Sequence, residues 1–565
     1  DEKRNMAKQI GDILVEKKLV TPEELQRALA EQEKTGEFLG SILIRMGCLS
    51  EEQLLQSLSE QLNIPFVNLK DLTIDQAVIQ RVPARLVEHY KVMPVRWERD
   101  VLTIALSNLH RYTWALEDIG LHLGCEVQAV LASRDQVNEA IRKYYGVGAD
   151  TIERILAQKQ GAEEPTVGLE EKPEDIERRA EDASVIKLVD QILQEAIQQR
   201  ATDIHIEPDR DELAVRYRVD GVLYDTRVSP DIKYLYSAIV SRIKIMAHLD
   251  IAERRVPQDG RIKIRVGQRE LDLRISILPS AYGEHVVIRI LPTEMLYSLE
   301  LLGLLPEDLE ILQRIIREPH GMILVTGPTG SGKTTTLYAS LSKLNTRQRK
   351  IITVEDPIEY EPRGITQIQV NPKVNVTFAN ALRSMLRHDP DIMMVGEIRD
   401  LETAEVAVQA ALTGHLVFST LHTNDAAGGV SRLMHMGIPP YLITSAATAF
   451  IAQRLVRLIC TQCRHEVSDP AMARVLVGGG PIASYRGKGC EACRFTGYQG
   501  RTGIYEILTV NDRIRELILE KASSDILKKE AIRLGMKTLY QDGLKKIAAG
   551  LTTSEEVLMT TQADG

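Results

Sequence analysis

Gly327-Pro328-Thr329-Gly330-Ser331-Gly332-Lys333-Thr334 is a complete G-x-x-x-x-G-K-[ST] phosphate-binding loop. Met322-Ile323-Leu324-Val325 before it reads as a short buried strand, and Thr334 through Leu344 reads as a helix. That context makes the match specific. Gly327, Gly330 and Gly332 let the backbone turn its N–H groups onto a polyphosphate. Lys333 is expected to reach the β- and γ-phosphates of ATP or ADP, and the Thr334 hydroxyl to ligate Mg²⁺. Pro328, Thr329, Ser331 and Thr335 complete the expected nucleotide-binding segment, and the helix N-terminus adds its positive end.

Three more apolar runs follow: Ile351–Val354, Ile392–Val395 and Leu416–Phe418. Each leads within a few residues into polar groups, as a parallel sheet does when it presents a site at its carboxyl ends. After the first comes Glu355-Asp356-Pro357-Ile358-Glu359-Tyr360. Glu355 and Glu359 are candidates to hold Mg²⁺ through water or to orient an attacking water; the alternative is a solvated acidic loop. After the second comes Gly396-Glu397-Ile398-Arg399-Asp400. Gly396 stands where P-loop ATPases commonly carry an Asp, which leaves Glu397 as the Mg²⁺-side or water-polarising carboxylate. After the third comes His422, read as a γ-phosphate sensor against the alternative of a structural histidine.

Cys460-x-x-Cys463 and Cys490-x-x-Cys493 are two knuckles 26 residues apart. Four thiolates on two tight turns suit tetrahedral Zn²⁺, with disulfides or redox pairs as the alternative. Cys48 and Cys125 are single and are expected in cores.

The chain has 565 residues, too many for one core. Its apolar fraction of 44% and charged fraction of 26% fit an ordinary globular protein. A net charge of −9 argues against a general nucleic-acid binder. No segment resembles a signal peptide, and Ile438–Gln453 is too short and too mixed to span a bilayer. Six cysteines do not make a disulfide framework, so a cytosolic, reducing compartment is expected.

Residues 1–146 read as an N-terminal domain. Within it, 9–61 contains a tandem repeat: Ile10-Gly11-Asp12-Ile13-Leu14 returns as Leu39-Gly40-Ser41-Ile42-Leu43, and Leu25, Leu29 and Gln32 match Leu54, Leu58 and Gln61. Thr21-Pro22-Glu23-Glu24 and Ser50-Glu51-Glu52-Gln53 have capping-box chemistry. An α/β piece follows, with Leu102, Ile104 and Leu106 alternating as in a strand. Residues 147–182 read as a flexible linker, from acidic stretches such as 161–165 and 170–174. Residues 183–295 read as an α+β domain, with an Asp220-Gly221 hairpin and a second hairpin over 262–275. Residues 300–565 carry the alternating strands and helices, with the cysteine segment at 458–500.

Taken together these motifs resemble, over nearly the whole chain, the ATPases of type II secretion and type IV pilus assembly. The carriers are 327–336, 352–360, Leu382–Asp400, Thr413–Asn424, Arg200–Pro208 and Pro257–Arg261. The resemblance implies an α/β fold: a RecA-like P-loop ATPase domain, a PAS-like α+β middle domain, a zinc-binding insertion and an N-terminal helical repeat domain. It implies a homohexamer, docked at the inner face of the cytoplasmic membrane through a platform protein, that powers pilus assembly or, alternatively, type II secretion. It further implies that middle-domain arginines reach a nucleotide, by motif position Arg274 and Arg289. The four cysteines and long N-terminal part look like the extension rather than the retraction ATPases. The repeat is similar to a tandem cyclic-di-GMP module, with Gln9 and Phe38 where that pattern favours arginine. A RecA-like helicase or DNA translocase is a further alternative, as is a nucleotide-switched scaffold.

Overall fold

A computed structural model of the chain describes residues 10–35, 37–62, 64–107, 112–159, 182–266, 269–292, 298–467, 476–477, 480–481 and 484–561. The chain divides into two compact units, Asp1–Val266 with Asp272–Ile290, and Gly267–Leu271 with Leu291–Gly565.

In the first unit the repeat forms two helix pairs, Ile10–Glu16 with Pro22–Thr35 and Leu39–Arg45 with Glu51–Leu62. Both second helices start in reciprocal caps. The Thr21 N–H donates to Glu24 Oε2 at 2.8 Å and the Glu24 N–H returns to Thr21 Oγ1; Ser50 and Gln53 repeat the exchange. Leu14, Ala28, Ile42 and Leu43 form the shared core. A Cβ on Gly40 would lie 2.5 Å from the Leu54 side chain, so glycine lets that leucine pack closely on the helix Leu39–Arg45.

The α/β piece is a three-stranded sheet of β1 (Val92–Glu98), β2 (Val101–Leu106) and β3 (Glu126–Leu131). Cys48 and Cys125 are half-buried against the helical and α/β cores.

The expected linker over 147–182 needs correction. Ala149–Lys159 is a helix that buries Ile152 and Ile155 and packs against the helices Ala84–Tyr90 and Ala183–Gln198. Its Ile152/Ile155 spacing supplies a helical stripe that the acidic composition further on obscured. The acidic stretches at 161–165 and 170–174 lie outside the described residues.

The middle segment is a six-stranded sheet of β4 (Asp203–Pro208), β5 (Leu213–Val219), β6 (Val222–Asp225), β7 (Gln258–Val266), β8 (Arg269–Ser280) and β9 (Gly283–Pro292), in the order β6-β5-β4-β9-β8-β7. Its turn residues Asp220 and Gly221 both have positive φ, +50° and +91°, as a tight hairpin with right-handed strand twist requires. Ile204, Ile206, Tyr217 and Ile288 are buried on one face, and the Tyr217 hydroxyl donates to Ile192 O of the helix Ala183–Gln198 at 3.1 Å.

The second unit is built on a seven-stranded sheet. Its strands are β10 (Gly321–Thr326), β11 (Ile351–Glu355), β12 (Ile365–Gln369), β13 (Ile392–Val395), β14 (Leu416–Leu421) and β15 (Ala447–Ile459). The short strands β16 (Arg464–Val467), β17 (Leu476–Val477), β18 (Gly480–Pro481) and β19 (Ser484–Gly487) precede its seventh strand, β20 (Tyr498–Thr509). The order is β12-β11-β13-β14-β10-β15-β20. All neighbours are parallel except β15 and β20. β10, β11, β13 and β14 are buried at every residue, which is why they read as continuous apolar runs.

Candidate active site

Parallel pairing brings the carboxyl ends of β10, β11, β13 and β14 to one edge of the sheet. Thr326 pairs with Leu421, Val395 with Ser419 and Val354 with Val395. The phosphate loop, Glu397 and His422 therefore emerge side by side. Side-chain rungs fix this edge: Ser419 Oγ donates to Val395 O at 2.8 Å and Thr420 Oγ1 to Gly396 O at 2.7 Å.

The loop fits a polyphosphate. Gly327, Gly330 and Gly332 have φ of +150°, +80° and +86°. A Cβ on Gly327 would meet Gln453 O and Ser331 Oγ at 2.6 Å, so the concave backbone tolerates no side chain there. The Ser331 hydroxyl is buried with no hydrogen-bond partner. Lys333 Nζ curls back onto the loop and donates to Gly327 O at 2.8 Å and Pro328 O at 3.0 Å. Burial lowers the Lys333 amine below its ordinary pKa, with Glu397 pulling the other way. Thr334 is exposed and Thr335 half-buried at the start of the helix Lys333–Leu344, while Pro328 and Thr329 are exposed.

Glu397 is the held carboxylate of this edge. Its side chain is 12% exposed, ion-paired with Arg399, and one oxygen lies 3.3 Å from His422 Nε2. An Mg²⁺ ligand or water-orienting base needs such a carboxylate next to the phosphate-binding lysine.

Glu355, expected among the catalytic carboxylates, has a different setting. It is buried, Oε1 accepts from Thr353 Oγ1 at 2.6 Å and Gln367 Nε2 at 2.9 Å, and Oε2 accepts from Tyr338 OH at 2.5 Å. A carboxylate with three donors on it, out of water, is a clamp between the P-loop helix and the sheet. Glu359 is half-buried beyond the end of β11. Arg289 lies on β9 and donates through Nε to Asp203 Oδ1 at 3.0 Å; Arg274 is half-buried on β8. Both belong to the first unit, whereas the phosphate loop belongs to the second.

Reading the sequence missed Tyr338, Gln453 and Arg454. Gln453 and Arg454 had a signal: they end the uncharged run from Ile438, which marks the point where a buried strand reaches something polar.

The cysteines Cys460, Cys463, Cys490 and Cys493 fit zinc. Their sulfurs lie within 4.8 Å of one another, and the pairs Cys460–Cys490, Cys463–Cys493 and Cys490–Cys493 are each 3.7 Å apart. A tetrahedron with Zn–S near 2.3 Å has edges of about 3.8 Å. The N–H groups of Cys490 and Gly497 point at Cys493 Sγ, at 3.1 and 3.3 Å, and bring that thiol down to about 7 although burial opposes the shift.

In the first unit, a cavity of about 1380 Å³ is lined by repeat residues in matched pairs: Gly11 and Gly40, Leu25 and Leu54, Leu29 and Leu58, Gln32 and Gln61. Phe38 is part of its wall; Gln9 lies outside the described residues.

Comparison with known proteins places this geometry. Residues 178–559 match the family model described as type II/IV secretion system protein, and residues 62–151 match the MshEN domain. The chain is 43% identical over 567 residues to the type IV pilus assembly ATPase PilB of Myxococcus xanthus, covering 99% of this chain and 100% of that one. It is 42% identical over 572 residues to the type II secretion system protein E of Xanthomonas campestris, covering 99% and 100%. The crystal structure of the ATPase DotB of Legionella pneumophila shares the fold, with a TM-score of 0.50 and 22% identity over 70% of this chain and 97% of that one. With a RecA-like P-loop sheet, a matching family model over most of its length and relatives alike from end to end, the chain belongs to the type II/IV secretion system protein family.

Proposed function

We propose that this chain is the ATP-hydrolysing motor subunit of type IV pilus assembly, with the type II secretion pseudopilus as the second reading. Two relatives, one from each system, support these readings almost equally by identity and coverage. The observation that carries the chemistry is the meeting of Lys333, Glu397 and His422 at one sheet edge. Family membership disfavours the helicase and DNA-translocase alternative.

Bound ATP and Mg²⁺ supply the anhydride to be broken and the cation that screens it. The chain's own residues do the rest. The glycine loop and Lys333 hold the β- and γ-phosphates, and Thr334 presents its exposed hydroxyl to Mg²⁺. Glu397, kept in place by Arg399 and His422, accepts a hydrogen bond from the attacking water or from metal-bound water. Glu355 keeps the P-loop helix fixed to the sheet, and Glu359 is left as a further carboxylate near the site. Arg274 and Arg289 complete the site of a neighbouring subunit in a homohexamer.

Zn²⁺ on the four cysteines is structural. Cyclic-di-GMP is the candidate ligand of the paired repeat cavity, and titration calorimetry measures its binding. Among the described residues no helix is long and apolar enough to cross a membrane. Contact with the inner face of the cytoplasmic membrane then comes through a platform protein.

Phosphate release by the purified protein, with and without DNA, tests the motor reading. Glu397→Gln removes charge and keeps shape, so ATP binding stays and turnover falls by about 10²-fold or more. A variant that fails to bind nucleotide contradicts the role given to Glu397. Turnover that depends on DNA favours the translocase, and a wild type without turnover favours the switched scaffold.

A further inference from the structure

The last residue of β10, Thr326, pairs with Ala452 of β15. At that point β10 ends and the phosphate loop begins, while β15 runs on. Gln453 and Arg454 are therefore the two residues of β15 that lie beside the loop instead of beside a strand. Successive residues of a strand point to opposite faces, and the loop wraps far enough for both to touch it.

Gln453 holds the helix side. Its Oε1 accepts from Thr336 Oγ1 at 2.7 Å, and its Nε2 lies 2.8 Å from where a Cβ on Gly332 would stand. Arg454 holds the strand side. Its Nη1 lies 3.1 Å from where a Cβ on Gly327 would stand and donates to Gln453 O at 2.9 Å. Its Nη2 donates to Asn424 O at 2.8 Å. Asn424 is two residues beyond His422, in the segment that leaves β14. One half-buried guanidinium thus ties the backbone of Gln453, which packs beside Gly327 and Thr336, to the segment carrying His422.

The fork geometry matters. A planar guanidinium fixes two acceptors relative to each other, which a single ammonium on a flexible stem does not. Asp425 and Glu506 face Arg454 electrostatically, and Lys528 lies 3.8 Å from both carboxylates.

We propose that Arg454 is a positioning residue for hydrolysis, tying the β15 backbone that lies beside the phosphate loop to the His422 segment so that His422 meets the γ-phosphate and Glu397 in register. This rests on the reading of the site as an ATPase centre in which His422 takes part.

A double-mutant cycle on the full chain tests it, with kcat, KM, ATP affinity and the unfolding midpoint measured for each variant. Arg454→Ala should lower kcat by roughly 10-fold or more, with ATP affinity within about 3-fold and the midpoint little changed. Arg454→Lys, which keeps charge and loses the fork, should not restore kcat. Arg454→Ala combined with His422→Ala should be no slower than His422→Ala alone, because the two act as one unit. Losses that multiply overturn the link, as does full rescue by lysine. If Arg454→Ala fails to fold, Arg454→Gln takes its place in the same cycle. His422→Ala at the wild-type rate overturns the role of His422 and the link with it; a wild type without turnover overturns the motor reading instead.

Discussion

Glu506 sits on β20, 1% exposed; Oε1 accepts from the Ala426 N–H at 2.9 Å and Oε2 has no hydrogen-bond partner. Burial raises its pKa above the ordinary carboxylate value, with the Ala426 N–H and Lys528 opposing. A folded pKa above the unfolded one contributes stability below the unfolded value, near 4.3. That contribution is lost as pH rises through the raised folded pKa. At neutral pH the buried charge is a cost. Glu506→Gln should therefore raise the unfolding midpoint at pH 8, and the gain should shrink toward pH 4. Thermal unfolding across that range checks it; a gain independent of pH would show that charge is not the cause. Nothing in Gly503-Ile504-Tyr505-Glu506-Ile507 announced this. The acidic residue was legible, but its burial beneath the helix Ala426–Met436 comes from 80 residues away in the chain. The same holds for Glu355, a candidate catalytic carboxylate that accepts from Tyr338, Thr353 and Gln367, two of which lie outside its own strand.

At the scale of elements, the cysteine knuckles close off the long β15–β20 hairpin. Gly487 and Gly497 come so near that a Cβ on Gly487 would sit 2.1 Å from Gly497 O, and Gly497 has a φ of +79°. Metal analysis should find about one Zn²⁺ per chain. Cys490→Ser should abolish it and loosen the knuckles, with hydrogen exchange rising there and the β10–β15 sheet still protected. Intact zinc in that variant, or collapse of the whole unit, would count against a local structural site. Spacing alone suggested this metal, because C-x-x-C carries its geometry within a few residues. The helix Ala149–Lys159 was missed for the opposite reason: the signal for it was two isoleucines beside a long acidic stretch.

For the whole molecule, the proposal requires sites completed between subunits. Arg274→Ala or Arg289→Ala should cut kcat by roughly 10²-fold or more if these act as arginine fingers. Mixing Lys333→Ala chains with Arg289→Ala chains is the sharper measurement. If the arginine acts in trans, some interfaces regain an intact Lys333 beside an intact Arg289, and turnover partly returns. Mixed rings that form but stay inactive at every ratio place the arginine's role within its own chain.

The phosphate loop, the four buried strands, the hairpins, the repeat and the cysteine pairs were all legible along the chain. Each is written in neighbouring residues: glycine where φ must be positive, apolar runs where both faces of a strand are covered, thiols two apart on a turn. It took the folded sheet to place Glu397 beside the lysine and to bury Glu355 under Tyr338, Thr353 and Gln367. It alone set Gln453 and Arg454 against a loop more than a hundred residues earlier. Those outcomes depend on strand order and register in the sheet, which bring distant segments to one edge and which local patterns do not encode.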